Sequence, residues 1–204
     1  PLADPDRPAG LDRGAFPQRA GRLQAFDFTS FPPVKAWELE RNFNGMLQPL
    51  VVTAADGRHV LVLPMGENCG IPVLPGREEE DRSAGEVWQG MLFGFDADSG
   101  EEIWSLAPPA WRSESGSCRA SQWWCIYAPA SWASPTCGDD GTVYVPWCGG
   151  IAYAVDGATG RVKSSYDMGN AVTGCISIGP GFVVAESQMR IICWKDENLE
   201  GYWK

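Results

Sequence analysis

The sequence has few of the residues from which proteins build metal and acid–base sites. It contains a single histidine, His59, and none of its seven cysteines forms a Cys-x-x-Cys pair. Structural zinc sites need such sets of cysteine and histidine, so we expect no metal centre. His59 follows a hairpin turn as an ordinary strand start would. We therefore expect no Ser–His–Asp catalysis and predict no catalytic residue.

Long apolar runs and positive charge are also scarce. No stretch reaches the roughly 20 apolar residues of a membrane-spanning helix. The 16 lysines and arginines face 26 acidic residues, which gives a formal net charge of −10. Nucleic acids and anionic lipids are bound through basic patches. We therefore predict neither a nucleic-acid partner nor a transmembrane segment, although the chain can still lie at the periphery of a membrane complex.

Turn-forming residues, in contrast, are abundant. The 24 glycines and 16 prolines indicate many chain reversals, which favour short strands over long helices. Residues 1–20 are polar, contain proline and show no periodicity, so they are predicted to form an extended N-terminal arm. Residues 21–204 then form one β domain.

A short unit recurs in this domain. An apolar strand is followed by a turn that begins with Asp and, in the clearest copies, ends with Gly, and then by a second strand. Those copies are residues 90–106 and 150–166, and a weaker one covers residues 21–39. The Asp side chain can accept backbone N–H bonds in the turn, and Gly tolerates a positive φ.

Hairpins with Asp-Gly turns precede the two clear copies, at residues 48–63 and 134–145, and a weaker copy follows at 175–194. Asp-Gly between apolar runs is a strong hairpin signal. Each full unit therefore holds four antiparallel strands, as a propeller blade does. We predict an all-β, propeller-like array of three to four four-stranded antiparallel blades.

Residues 140–160 and 93–106 resemble the quinoprotein (PQQ-like) β-propeller repeat, and the resemblance extends over roughly residues 21–194. It implies a fold more than a function, because the family includes quinone-dependent dehydrogenases, cofactor-free scaffold proteins and an outer-membrane assembly lipoprotein. The dehydrogenases are much longer and hold their quinone beneath a disulfide between adjacent cysteines. This chain has no adjacent cysteines. We therefore expect no bound cofactor and no enzymatic activity.

The turn aspartates Asp27, Asp96 and Asp156 recur at intervals longer than the roughly 40–50 residues of a compact blade. The excess lies in two insertions, at about residues 67–89 and 108–133. The second insertion is rich in aromatic residues, which either form a satellite core or an exposed patch. We predict that they bind a partner: Trp111, Trp123, Trp124, Tyr127 and Trp132.

The sequence also predicts a disulfide in the second insertion and an incomplete first blade. Cys118 and Cys125 lie in a polar segment and are the predicted disulfide pair. The first unit lacks its two leading strands, so either the termini complete a shared blade or the array stays open and requires a partner.

The chain begins at Pro1, which suggests a processed precursor or a fragment and favours an extracytoplasmic or organelle-lumen location.

The predicted function is therefore a non-catalytic protein–protein interaction or scaffold module, acting as an extrinsic subunit of a larger, lumen-side assembly. Two alternatives remain open. One is a fragment or degenerate form of a quinone-dependent oxidoreductase. The other is a carbohydrate-binding module that stacks sugars on Trp123, Trp124 and Trp132.

Overall fold

The computed structural model describes residues 21–41, 47–66, 87–88, 90–109, 111–112, 132–169, 172, 174–187 and 190–195. The predicted arm at residues 1–20 and the predicted disulfide pair, Cys118 and Cys125, lie outside the described residues. Within these ranges the chain forms strands and turns, and no helix long and apolar enough to cross a membrane occurs.

The described residues form fifteen strands. In chain order they are β1 (Gly21–Asp27), β2 (Val34–Arg41), β3 (Leu50–Thr53), β4 (His59–Gly66), β5 (Val87–Trp88), β6 (Gly90–Asp96), β7 (Glu102–Leu106), β8 (Trp111–Arg112), β9 (Thr136–Cys137), β10 (Thr142–Trp147), β11 (Ile151–Asp156), β12 (Val162–Asp167), β13 (Ser177–Gly179), β14 (Phe182–Ser187) and β15 (Arg190–Lys195).

These strands make four antiparallel sheets, one for each predicted unit, and a separate short ribbon. Blade 1 is β1–β2, blade 2 is β3–β4–β6–β7, blade 3 is β9–β10–β11–β12 and blade 4 is β13–β14–β15. The prediction of an all-β fold with four-stranded antiparallel blades is confirmed. Two blades are complete and two are partial in the described part of the chain, and the sheets are open rather than closed on themselves.

The repeated turn follows the predicted chemistry. Asp96 Oδ1 accepts backbone N–H bonds from Asp98 at 3.0 Å and Ser99 at 2.9 Å, and Gly100 donates to the Asp96 carbonyl at 2.8 Å. The Asp156 turn repeats this arrangement. The Ser99 N–H bond favours the ionised carboxylate and lowers the pKa of Asp96. These aspartates therefore close turns, and no group of three or more metal-ligating residues occurs in the described ranges.

The core lies in layers between successive blades, because side chains on a strand alternate between its two faces. On β4, Val60 and Val62 pack towards blade 3, while Leu61 and Leu63 pack towards blade 1. The layer between blades 2 and 3 is the most extensive, and its valines are fully buried. Each blade is therefore stabilised by its neighbours.

Charged side chains cover the face of blade 1 that points away from blade 2. Arg22 Nη2 lies 2.6 Å from Glu40 Oε1, and Arg22 Nε lies 3.2 Å from Glu38 Oε1. Lys35 Nζ lies 2.6 Å from the second carboxylate oxygen of Glu38. The opposite face of the same sheet carries Leu23 and Leu39, which pack against blade 2. Blade 1 thus has one apolar and one ion-paired face.

Candidate functional site

The two predicted insertions are joined at their bases. The first leaves blade 2 as the connection from β4 to β6, where Gly66 faces Gly90. The short strand β5 near its end pairs with β8 at the start of the second insertion, and Trp88 faces Trp111 in that ladder. No sequence signal marks this pairing, because two-residue strands have no periodicity to detect. The end of the first insertion and the start of the second therefore lie side by side.

Trp132, at the end of the second insertion, is part of the core. It is 3% exposed, its Nε1 donates to the Met65 carbonyl at 3.1 Å, and its ring lies 6.4 Å from that of Trp147 and 6.0 Å from that of Tyr153. A buried indole with its N–H satisfied serves packing. With 3% of its surface exposed it offers little area to a partner, and it belongs to the core layer between blades 2 and 3 rather than to a separate satellite core.

The other predicted partner-binding aromatics are only partly placed. Trp111 belongs to the ribbon of β5 and β8. Trp123, Trp124 and Tyr127 lie outside the described residues. The structure therefore brings Trp111 to the base of the insertions and places Trp132 in the core.

The hairpin of blade 1 presents an apolar surface that the sequence pattern does not single out. Phe28 is 77% exposed, Phe31 is 96% exposed, and the flanking Phe26 and Val34 are 48% and 60% exposed. The backbone N–H of Thr29 donates to Asp27 Oδ1 at 2.7 Å, which shapes the loop and lowers the pKa of Asp27. We call Phe26, Phe28, Phe31 and Val34 the apolar hairpin tip. Single exposed apolar residues are common, but a cluster on one projection is typical of an interaction site.

Tryptophans dock blade 1 onto blade 2 and blade 2 onto blade 3. Trp37 of blade 1 donates its indole N–H to the carbonyl of Ala97 at 3.0 Å, and Trp104 of blade 2 donates to the carbonyl of Gly157 at 3.1 Å. Each acceptor follows a turn aspartate by one residue, in the neighbouring blade. We call Trp37 and Trp104 the docking tryptophans.

Glycines beneath the two indoles complete these contacts. Gly100 has φ +77° and Gly160 has φ +72°, so both need the left-handed region. A Cβ on Gly100 would lie 2.8 Å from Trp37, and one on Gly160 would lie 2.5 Å from Trp104. Glycine at the end of the turn therefore serves both the turn and the docking of the preceding blade.

The histidine and the cysteines, which could have supported other chemistry, have local roles. His59 Nδ1 lies 3.2 Å from the hydroxyl of Thr53 in the same hairpin. The four cysteines within the described ranges, Cys137, Cys148, Cys175 and Cys193, are free thiols. Burial raises the pKa of Cys148 to about 12, which keeps this thiol protonated and unreactive.

No protein-family model and no curated protein matches the chain. Among solved structures it is similar to BamB from Moraxella catarrhalis, with 15% identity, a TM-score of 0.49 and coverage of 86% of this chain and 43% of that one. It is also similar to the quinohemoprotein alcohol dehydrogenase ADHIIG from Pseudomonas putida, with 12% identity, a TM-score of 0.38 and coverage of 68% of this chain and 21% of that one.

A third similar structure is the computationally designed Ika4 protein, with 9% identity, a TM-score of 0.35 and coverage of 74% of this chain and 92% of that one. The chain thus spans less than half the length of the BamB and dehydrogenase chains. Likenesses at such identities bear on the fold alone. The blade architecture rests on the sheets of this chain.

Proposed function

We propose that this chain is a non-catalytic protein-interaction module and an extrinsic subunit of a larger assembly. The observation that carries the proposal is the apolar hairpin tip on blade 1, where Phe28 and Phe31 project with 77% and 96% exposure. Exposed phenylalanine side chains are costly in water and are enriched in the cores of protein interfaces. A protein partner that covers them gains apolar burial.

Open strand edges at the two ends of the array support the same proposal. In the described residues, β1 pairs only with β2, and β15 pairs only with β14. A strand with one free edge offers a row of backbone N–H and C=O groups to another extended chain. The hairpin tip and these edges together fit a partner that contributes both apolar side chains and backbone.

The aromatic insertion is a second proposed contact. The ribbon of β5 and β8 holds the bases of both insertions together, with Trp111 in its ladder. We assign partner binding here to Trp111, Trp123, Trp124 and Tyr127, and we leave Trp132 to the core. An extracytoplasmic or organelle-lumen location is part of the same proposal.

Co-purification from the native source tests the proposed function. The double variant Phe28→Ser, Phe31→Ser removes the two most exposed rings, and Ser30→Ala changes the exposed residue between them as a matched control. We expect the wild-type chain and the Ser30→Ala variant to recover the same set of proteins, and the double variant to lose it while keeping its far-ultraviolet circular dichroism. Recovery of the same set by the double variant would contradict the proposal.

The two alternative functions have separate measurements. A quinone-dependent oxidoreductase would show the absorbance of a bound quinone after purification from the native source. A carbohydrate-binding module would bind glycans through Trp123 and Trp124, so a Trp123→Ala variant would lose that binding. Both remain predictions from the sequence and its resemblance.

A further inference from the structure

Blade 3 lacks the docking tryptophan that its two predecessors have. In blade 1, Ala25 faces Trp37, and a bulge follows in the ladder. In blade 2, Gly94 faces Trp104 before an equivalent bulge. In blade 3 the same place in the register, again before a bulge, is Ala154 facing Ser164. The backbone register at this position is thus the same in all three blades, but the tryptophan side chain is absent from blade 3.

The consequence is a cleft between blades 3 and 4. Trp104 is 9% exposed, whereas Ser164 is exposed. The cleft has a volume of about 180 Å³, and Ala154 and Ser164 both line it. Tyr166 and Trp194, with ring centroids 5.1 Å apart, line it from the two blades. The space therefore adjoins the register position that a docking tryptophan occupies in the earlier blades.

The chemistry of the lining suits an indole. Tyr144, Tyr166 and Trp194 offer aromatic surfaces, and Ser164 brings a hydroxyl group. Aromatic rings prefer offset or edge-to-face contacts, each worth more than the burial of their area alone. The cleft is also continuous with the core between blades 3 and 4, because Tyr144 and Trp194 pack against that core. An aromatic group that entered it would extend an existing apolar interface.

We propose that the cleft between blades 3 and 4 is a receptor for a tryptophan side chain of a partner protein. The two earlier interfaces of the same array show what this position accommodates, because Trp37 and Trp104 each insert an indole there. In blade 1 an alanine, Ala25, stands opposite the docking tryptophan in the ladder, as Ala154 stands opposite Ser164 in blade 3. Tryptophan is among the residues most enriched at binding hot spots. The inference rests on the proposed function and names one residue of the partner.

A titration of the full chain with N-acetyl-tryptophanamide, followed by ¹H–¹⁵N NMR, tests the site without any partner. We expect the amides of Ala154, Ser164 and Tyr166 to shift. The Ser164→Trp variant supplies the chain's own indole and should abolish these shifts. Val162→Trp is the matched control, because Val162 is 38% exposed on the same strand and does not line the cleft. Ala154→Leu fills the floor from β11 if Ser164→Trp does not fold.

Three results would overturn the proposal. One is a wild-type chain whose cleft amides do not respond, as when a tryptophan from another part of this chain occupies the space. Another is an equal response from Ser164→Trp or Ala154→Leu. The third comes from co-purification, where Ser164→Trp is expected to lose the partner that Val162→Trp retains, and retention by both would exclude the cleft as its contact. The NMR arm does not involve the hairpin tip, so failure here and failure of the proposed function are distinguishable.

Discussion

The interface between blades 2 and 3 and the interface between blades 3 and 4 are built on the same register but are filled differently. At the first, Trp104 crosses to the next blade, bonds to the Gly157 carbonyl and covers Gly160. At the second, Ser164 stands in its place and an aromatic-lined cleft remains. The side chain at this repeat position is therefore one difference between the closed interface and the one that leaves a space. In repeat architectures, departures from the shared pattern are where a specific function is to be sought.

Truncation of the docking tryptophan Trp104 should change the free energy of unfolding more than any other variant considered below. Trp104→Ala removes a buried indole and its bond to Gly157, and leaves a cavity between blades 2 and 3. We expect a loss of about 3–5 kcal/mol in the free energy of unfolding, measured by urea denaturation. Ser164→Ala, at the matching position, should change it by less than about 0.5 kcal/mol. Similar losses for the two variants would show that the interfaces do not differ in this way.

Alanine variants at two glycines of blade 3 distinguish the loss of stability caused by overlap with the indole from the loss caused by a positive φ. Gly160 and Gly169 have φ values of +72° and +69°, but only Gly160 lies beneath a docking tryptophan. Both alanine variants suffer backbone strain. Gly160→Ala should be destabilised by a further ~1–3 kcal/mol through overlap with Trp104. Equal unfolding midpoints for the two variants would place the cost in the backbone alone.

Filling the open interface should make the two interfaces alike. Ser164→Trp is expected to raise the free energy of unfolding by about 0.5–2 kcal/mol, because the new indole buries apolar surface in the cleft. Calorimetric melting of this variant beside Val162→Trp measures the gain. A destabilised but folded Ser164→Trp would indicate that the cleft is too small for an indole.

Acid should lower the stability of the protein by a smaller amount, through the turn at Asp96 that precedes the acceptor of Trp37. The folded-state pKa of Asp96 lies below its unfolded value because the Ser99 N–H stabilises the carboxylate. The resulting stability is fully present above the unfolded-state pKa and is lost as pH falls through the folded-state pKa. Asp96→Asn keeps an acceptor for the turn, so its melting temperature should depend less on pH in the acidic range. An unchanged pH dependence would assign the acid sensitivity to other carboxylates.

The blades could be predicted from the sequence because their signals are local. The turns at Asp96 and Asp156 and the Asp-Gly hairpins lie within a few residues of the strands they join, so the strand order followed. The docking tryptophans also have a signal, since Trp104 lies eight residues after Asp96 and Ser164 eight after Asp156. An alignment of these two units on their aspartates is therefore enough to show that the later one lacks the tryptophan.

The placement of Trp132 and of the hairpin tip could not be read from the sequence. Trp132 lies in the aromatic second insertion, and its burial depends on contacts with Met65 and Trp147, which are distant from it in the sequence. Phe28 and Phe31 resemble core residues by composition, yet the chain reversal between β1 and β2 projects them outwards. Burial in both cases depends on contacts between distant parts of the chain, which local patterns do not encode.

The ion-paired face of blade 1 makes the two ends of the array different. Another sheet that stacked there would have to remove water from Arg22, Glu38 and Glu40, whose pairing does not repay that loss unless every charge finds a new partner. In the described residues the outward face of blade 4 is mixed, because Ile191 on it is 76% exposed and stands opposite Glu186 in the ladder. The cost of desolvating these charges therefore disfavours the stacking of a further sheet on blade 1.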